Sequence, residues 1–193
     1  MARPVVSIVR CPDYEPGRVR AAVREALDLV PWAKERAGAG RTVLLKPNLL
    51  SSNDPPERAI NTHPAVTRAV AEFFRERGCR VVIGDSCGSL APGSTAQAMA
   101  RTGLPQVAAE TGAELADFDR APSETVAIPN GRVLSQVRIP RIVREADLFV
   151  TLPKMKTHGL TLLTGAVKNQ FGLLPGRGKK DAHLRAPKPA LLA

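Results

Sequence analysis

Short apolar runs alternate along the chain with amphipathic stretches, and the two patterns have different periods. Apolar runs bounded by glycine, proline or polar residues are typical of strands, and largely apolar ones indicate strands buried on both faces. The predicted strands cover residues 4–10, 42–48, 79–86, 113–119 and 148–153. The last of them, LFVTLP, is the most strand-like, and lysines and a histidine follow it at once.

Apolar residues spaced three and four apart predict amphipathic helices between these strands. The predicted helical segments are 19–30, 65–78, 93–112 and a single turn at 142–147. The second follows Thr62, a candidate N-cap, with Pro64 in its first turn, and it ends at Gly78. Gly103 and Pro105 interrupt the third segment, which therefore holds one helix or two.

Strands that alternate with helices favour an α/β fold with a mostly parallel sheet and helices on both of its faces. A small antiparallel hairpin insertion is expected around Asn130-Gly131, because this pair between apolar runs is typical of a hairpin turn. A length of 193 residues fits a single α/β domain over residues 1–193. Ligands of open parallel sheets bind beyond the carboxyl ends of the strands, so a site is expected there.

Composition narrows the class of protein. The chain is 44% hydrophobic and 24% charged, and no apolar run reaches the roughly 18 residues of a membrane span. Its first residues lack the long apolar segment of a secretory signal, so we expect a cytoplasmic protein without a membrane partner. Three cysteines without a CxxC pair indicate neither a disulfide framework nor a zinc cage.

The positive charge is concentrated in the last part of the chain. Residues 151–193 hold eight lysines and arginines against Asp181 alone, so seven of the ten net positive charges lie there. This excess predicts an anionic partner for that region. A basic rim that binds nucleic acid nonspecifically is the alternative, but an aromatic content of 4% leaves few stacking platforms and argues against it.

Polar clusters follow three of the predicted strands at the point where each strand ends. They are Lys46-Pro47-Asn48, Gly84-Asp85-Ser86, and the group Lys154, Lys156, Thr157 and His158. Because parallel strands point the same way, we expect these clusters to meet in one pocket at one edge of the sheet. A pocket of this kind would bind an anionic small molecule or cofactor.

Two interpretations stay open for three residues of the first two clusters. Lys46 either snorkels to the sheet edge or is buried and paired, since lysine is rarely buried without a partner. Asp85 either caps a helix or loop or serves as partner to a metal, a hydroxyl or a lysine. Asn48 either forms an Asx-type turn or contacts the ligand.

The stretch after the last strand supplies further candidate chemistry. His158 lies among lysines whose charges favour its neutral form, so it is a candidate base or ligand. Thr164-Gly165 lets the backbone approach an anion, and Lys168 would lie one turn into a helix that begins there. The chain has neither a Walker loop nor a G-x-G-x-x-G motif after a strand, which argues against nucleotide binding by those routes.

These observations give a set of candidate site residues. The candidate catalytic residues are His158, Lys168 and Asp85, and the candidate cofactor-binding residues are Lys46, Asn48, Lys154, Lys156, Thr164 and Gly165. No metal ligand and no particular cofactor is predicted. His63 beside Pro64 is more typical of a helix cap than of a catalyst, and His183 of a solvated loop.

The chain resembles the uncharacterised family known as domain of unknown function three-six-two. The motifs that carry the resemblance are Lys46-Pro47-Asn48, Thr62-His63-Pro64, Gly84-Asp85-Ser86, residues 152–177 and His183-Leu184-Arg185. Many members are described as iron-sulfur proteins because a ferredoxin-like module is attached, but this chain has no closely spaced cysteines for a cluster. The family's domain normally continues beyond His183, so we expect this chain to be the N-terminal part of a longer domain or a short member.

A fainter similarity links residues 158–183 to nickel-dependent lactate racemases. That resemblance implies Lys168 as the lysine that anchors a nickel-pincer nucleotide, with His158 and His183 near the metal or substrate. The turn has Ala166 where that family has a second glycine. Three hypotheses therefore stand: an enzyme-like domain that binds an anion and uses histidine acid/base chemistry, a nickel-pincer racemase or epimerase of a 2-hydroxy acid, and a non-catalytic module that docks a ferredoxin-type partner.

Overall fold

The computed structural model describes residues 5–89, 91–159, 161–176 and 178–185, and the side chains of His183 and Arg185 lie outside this description. In chain order the elements are α1 (Pro16–Asp28), α2 (Pro31–Glu35), β1 (Thr42–Pro47), α3 (Pro64–Arg75), β2 (Arg80–Asp85), α4 (Ser94–Arg101), α5 (Leu104–Thr111), β3 (Glu114–Asp117), β4 (Ser123–Ala127), β5 (Gln136–Pro140), α6 (Ile142–Glu145), β6 (Leu148–Leu152), β7 (Lys156–His158), β8 (Leu162–Thr164), α7 (Ala166–Asn169) and α8 (Gly178–Arg185). Short 3-10 turns form at Pro56–Arg58 and Gln170–Leu173.

Four parallel strands form the central sheet in the order β3-β2-β1-β6. Leu44 of β1 pairs with Val82 on one side and with Phe149 on the other, so β1 lies in the middle of the sheet. A central parallel strand is covered on both faces, and this explains why its sequence is a continuous apolar run rather than an alternating one. The predicted α/β fold with a mostly parallel sheet is confirmed.

Alternate residues of the strands point into two apolar layers. On one face Val43 and Leu45 of β1 pack with Phe73 and Phe74 of α3 and with buried residues of α4 and α5. On the other face Leu44, Val82 and Phe118 pack against partly buried residues of α6, namely Ile142, Val143 and the adjoining Ala146. Helices therefore cover both faces, as the alternation of elements predicts.

Specific residues set where the helices begin and break. The Glu15 carboxylate accepts hydrogen bonds from the amides of Gly17 and Arg18 at 2.9 Å each, and α1 accordingly starts earlier than its apolar pattern indicates. Gly103, with φ of 70°, separates α4 from α5 in a left-handed conformation that glycine adopts without strain. The predicted interruption of this segment is confirmed.

The N-cap predicted at Thr62 is wrong, because His63 occupies that position. The amide of Ala65 donates to His63 Nδ1 at 3.2 Å, and the imidazole stacks on Tyr14 with ring centroids 4.0 Å apart. Thr62 instead accepts a hydrogen bond from the Asn48 amide at 2.9 Å and donates to the Leu152 carbonyl at 2.6 Å. Its hydroxyl therefore joins the loop after β1 to the end of β6.

The predicted hairpin is confirmed, and a second one was not foreseen. Strands β4 and β5 pair antiparallel, and Asn130 in their connection takes a left-handed conformation with φ of 58°. Strands β7 and β8 form another antiparallel pair directly after β6, in which Lys156 lies opposite Thr164. These short strands carry no apolar alternation, which is why the hydrophobic pattern does not reveal them.

The strand predicted at residues 4–10 is wrong over its described part. Residues 5–10 have no strand partner in the described structure, and Val6 and Ile8 are 77% and 90% exposed. An apolar, β-branched run favours an extended chain, but a strand also needs a neighbouring strand to bond with, and sequence pattern carries no information about that partner.

Among the helices of the described residues, none has both the length and the hydropathy needed to cross a bilayer.

The His63 cap makes the stability of the fold depend on pH. Burial lowers the pKa of His63 below its ordinary value of 6.5, and this outweighs the opposing charge of Glu57. Since the folded state binds this proton more weakly than the unfolded state, the free energy of unfolding decreases as pH falls through 6.5. We expect His63→Asn, which retains a capping side chain, to lose less stability between pH 8 and pH 5 than the wild type.

Urea unfolding measured at several pH values checks this expectation. Loss of the stacking contact with Tyr14 changes the free energy of unfolding of the variant by the same amount at every pH. The two proteins are therefore compared by how much that free energy changes between pH 8 and pH 5. Identical pH dependence in the two proteins would show that His63 does not titrate as described.

Candidate functional site

A cavity of about 360 Å³ opens where β1 and β2 end. Its lining consists of Lys46, Asn48, Leu49, Leu50, Asp85, Ser86, Gly88, Lys156, His158, Thr164, Lys168, Asn169, Phe171, Gly172, Lys179, Lys180 and Leu184. These residues come from the ends of β1 and β2 and the loops that follow them, from the β7–β8 hairpin, and from α7, the turn after it and α8. The position is the one expected for ligand sites of open parallel sheets.

The structure brings most of the predicted site residues to this cavity. Those that line it are Lys46, Asn48, Asp85, Lys156, His158, Thr164 and Lys168. Lys154 and Gly165 do not belong to the lining. Lys154 donates to the Tyr14 hydroxyl at 2.6 Å, beside the stacked His63 ring, and Gly165 is the N-cap of α7. Because α7 is a single turn of four residues, its dipole is small, and the anion binding expected from a helix start finds little support there.

The floor of the cavity is a buried ion pair between neighbouring strands. Lys46 and Asp85 are 0% and 1% exposed, and Lys46 Nζ lies 2.7 Å from Asp85 Oδ1. The carboxylate also accepts the amides of Leu49 at 2.8 Å and Ser86 at 2.9 Å. Burial raises the pKa of Asp85, and the Lys46 charge and the Leu49 amide oppose that effect. Lys46 is thus buried and paired, not snorkelling.

Asn169 joins this pair to the chain that follows β6. Lys46 Nζ donates to Asn169 Oδ1 at 3.1 Å, and Asn169 Nδ2 donates to the Lys46 carbonyl at 3.2 Å and to Thr151 Oγ1 at 2.8 Å. Sequence reasoning missed this residue. The sequence shows only an asparagine within the stretch TGAVKNQFG. An asparagine there does not indicate a partner 123 residues earlier.

A second buried lysine, also missed, reaches the site from α8. Lys179 Nζ donates to the Ser86 carbonyl at 2.8 Å, to Ser86 Oγ at 2.5 Å, and to the Cys87 carbonyl. Ser86 Oγ in turn donates to Asp119 Oδ1 at 2.6 Å. Burial would raise the pKa of Asp119, but hydrogen bonds from Ser86, Thr95 and the Gly176 amide together hold it below its ordinary value.

Lys168 and Lys156 stand at the cavity without a carboxylate. In the described part of the chain, neither ammonium lies within 4 Å of a carboxylate oxygen. Burial lowers the pKa of Lys168, and the charges of Lys179 and Lys46 lower it further. Burial likewise lowers the pKa of Lys156, with the charges of Lys154 and Lys168 adding to the effect.

The β7–β8 hairpin places three polar side chains on one face. Lys156 and His158 are two residues apart on β7, and Thr164 lies opposite Lys156 on β8, so all three share a side of the hairpin. The amide of Thr161 donates to His158 Nδ1 at 3.2 Å. A neutral imidazole that accepts at Nδ1 carries its hydrogen on Nε2.

Asn48 has a structural role as well as a place in the lining. Its side-chain amide donates to the Ile60 carbonyl at 3.0 Å, and its backbone amide donates to Thr62. The described residues contain no group of three histidine, cysteine, aspartate or glutamate side chains that could hold an ion. His183, which the racemase similarity places near a metal, has its side chain outside the description.

Comparisons with known proteins agree with the motifs. A family model described as Domain of unknown function (DUF362) matches residues 43–192. A thylakoid-associated protein of Synechocystis sp. is 32% identical over 185 residues, which is 96% of this chain and 55% of the relative. This chain thus spans about half the length of the curated relative it matches, and no solved structure matches it. The cytoplasmic location expected for this chain stays a prediction.

The buried pair gives the first prediction from the site. Lys46→Met is expected to lower the free energy of unfolding by about 3–5 kcal/mol, because it leaves the Asp85 carboxylate buried without its cation. The double variant Lys46→Met, Asp85→Asn removes both charges and keeps an acceptor for the Leu49 amide. We expect it to be less destabilised than the sum of the two single variants in urea unfolding, and simple additivity would contradict the pairing.

Gly172 gives a second prediction, because its backbone presses against the pair. A Cβ atom there would lie 2.2 Å from Asp85 Oδ1 and 2.6 Å from Lys46 Nζ. We expect Gly172→Ala to destabilise the protein by about 1–3 kcal/mol through overpacking. Gly38→Ala is the matched control, since a Cβ at Gly38 meets nothing within 4 Å. Equal thermal stability of the two variants would argue against the close approach at Gly172.

Proposed function

This chain belongs to the DUF362 family, as its motifs predict, and we propose that it binds an anionic small molecule or cofactor in the lysine and histidine cavity at the strand ends. One observation carries the proposal. Among the described residues, five lysines, namely Lys46, Lys156, Lys168, Lys179 and Lys180, line the cavity against the single carboxylate of Asp85. The cavity therefore has a large excess of positive charge that the lining side chains do not neutralise.

Electrostatics favour an anion at this position. Lys168 lies within the influence of Lys46 and Lys179, and Lys156 lies within that of Lys168, so each ammonium raises the cost of charging the next. A bound anion replaces this repulsion with attraction, in surroundings that are partly shielded from water. The same reasoning explains why the charge excess of the sequence lies after the last strand of the sheet, since most of those lysines reach the cavity.

The size of the cavity supports a small ligand. A volume of about 360 Å³ falls near the lower end of the roughly 300–1,000 Å³ that small-molecule sites enclose. Leu49, Leu50 and Phe171 add apolar surface beside the lysines. A ligand with one anionic group and a short apolar part fits this lining. His158, on the same cavity, would supply acid/base chemistry to such a ligand.

The nickel-pincer alternative shares Lys168 and His158, which line one cavity. A pincer ligand brings three donors to its metal, so the protein would have to add only one, for which His158 on the cavity is the described candidate. Intact mass and elemental analysis after co-expression with cofactor-forming enzymes would test it. Docking of a ferredoxin-type partner through the basic surface stays a prediction from the family resemblance.

A ligand screen by thermal unfolding tests the proposed function. We expect inorganic phosphate, phosphorylated metabolites or 2-hydroxy acids to raise the melting temperature of the wild type, because a ligand that binds only the folded state stabilises it. Lys168→Ala is expected to weaken the effect at least tenfold in ligand concentration, since a hydrogen bond to a charged group contributes about 1.5–3 kcal/mol.

Lys34→Ala is the control for this screen, because it removes the same charge from a lysine that pairs with Asp28 on the surface. It should leave the ligand effect unchanged. Equal losses in the two variants would indicate nonspecific attraction to a basic protein. No shift with any anion would contradict the proposal.

A further inference from the structure

The five ammonium groups at the cavity are held in different ways. Lys46 is buried in its ion pair with Asp85 and also donates to Asn169. Lys179 is buried and donates to two carbonyls and a hydroxyl. An ammonium group has three hydrogens, and each of these two nitrogens contacts three oxygens, so neither has a hydrogen left for a ligand.

Two of the remaining lysines also have evident roles. Lys156 donates to the Ile60 carbonyl and so ties the hairpin to the loop before α3. Lys180 is exposed to solvent and is screened there. Both contribute to the positive potential, and neither combines burial with an unengaged nitrogen.

Lys168 differs from all four. It is half-buried, and its nitrogen lies 4.6 Å from the centroid of the Phe171 ring. Among the described residues no oxygen accepts a hydrogen bond from it and no carboxylate pairs with it. The two fixed cations Lys46 and Lys179 act on it from nearby, and together with burial they lower its pKa. A desolvated lysine next to another cation is the arrangement that makes an amine nucleophilic near neutral pH.

We propose that Lys168 is the reactive amine of this cavity and that it forms an imine with an anionic aldehyde or ketone, such as a 2-oxo acid or a phosphorylated aldehyde. This inference rests on the proposed function and narrows its ligand class. The anionic group of the ligand would meet Lys156 and Lys180, and this would bring its carbonyl carbon to the Lys168 nitrogen.

The chemistry needs no oxidant or reductant. The neutral amine attacks the carbonyl carbon, a C–N bond forms, and the carbonyl oxygen becomes the hydroxyl of a carbinolamine. Water or His158 on the same cavity carries the proton that the Lys168 ammonium loses when it becomes the neutral amine. The hydroxyl takes up that proton and leaves as water, and a protonated imine remains. In total, an ammonium group and a carbonyl compound give an iminium ion and one water molecule.

Pyridoxal 5′-phosphate is the probe that tests this inference, because it carries both an aldehyde and a phosphate. After borohydride reduction we expect one stable adduct per chain by intact mass, and peptide mapping should place it on Lys168. Pyridoxal, which lacks the phosphate, is expected to react about tenfold more slowly at the same residue, since it forgoes a charge-assisted contact of at least 1.4 kcal/mol. Inorganic phosphate in excess should protect Lys168 from the probe.

Two variants separate this inference from the proposed function. Lys168→Arg keeps the charge but cannot form an imine, so it should lose the adduct and keep the melting-temperature shift with phosphate. Lys154→Arg, just outside the cavity, should be labelled like the wild type. An adduct spread over surface lysines, or equal labelling of Lys168→Arg, would overturn the imine. Equal labelling rates with pyridoxal 5′-phosphate and pyridoxal, together with no rise of the melting temperature in phosphate, would overturn the anion site itself.

Discussion

The ion pair between Lys46 and Asp85 is the constraint on which the rest of the site depends. It joins the ends of two adjacent parallel strands where both side chains are fully buried. Two buried charges are tolerated only when each has a partner and further hydrogen bonds, and the amides of Leu49 and Ser86 together with Asn169 supply these. The loops after β1 and β2 and the segment after β6 therefore have to converge on one point.

This convergence leaves the cavity with cations that differ in mobility. Lys46 and Lys179 are held by buried acceptors, whereas Lys168 contacts the Phe171 ring and has no acceptor among the residues that the structure describes. Because Lys46 and Lys179 are held in place, their charges act on Lys168 without reorienting. Preorganised charges of this kind change the chemistry of a neighbouring group. A basic surface alone does not require buried lysines, and burying Lys46 and Lys179 beside the half-buried Lys168 carries a desolvation cost.

Hydrophobic periodicity predicted the sheet because its central strands are buried on both faces, and their polar ends indicated Lys46 and Asp85 at one edge. The same reasoning failed where a role depends on a distant partner. Asn169 and Lys179 bond to residues 123 and 93 positions earlier, and no local pattern reports such a contact. Lys154 and Lys156 have similar neighbours in sequence, but Lys154 donates to the Tyr14 hydroxyl and does not line the cavity. Residues 5–10 have strand propensity, but no strand of the described chain adjoins them.

The long separation between Lys46 and Asn169 also sets an order of events during synthesis. A ribosome releases the strands β1 and β2 well before the segment that completes the cavity, because domains emerge from the N-terminus onward. Until Asn169 arrives, Lys46 can meet Asp85 at the strand ends, but the pair lacks one of its hydrogen-bond partners. The cavity is consequently incomplete until the segment through α8 has left the exit tunnel.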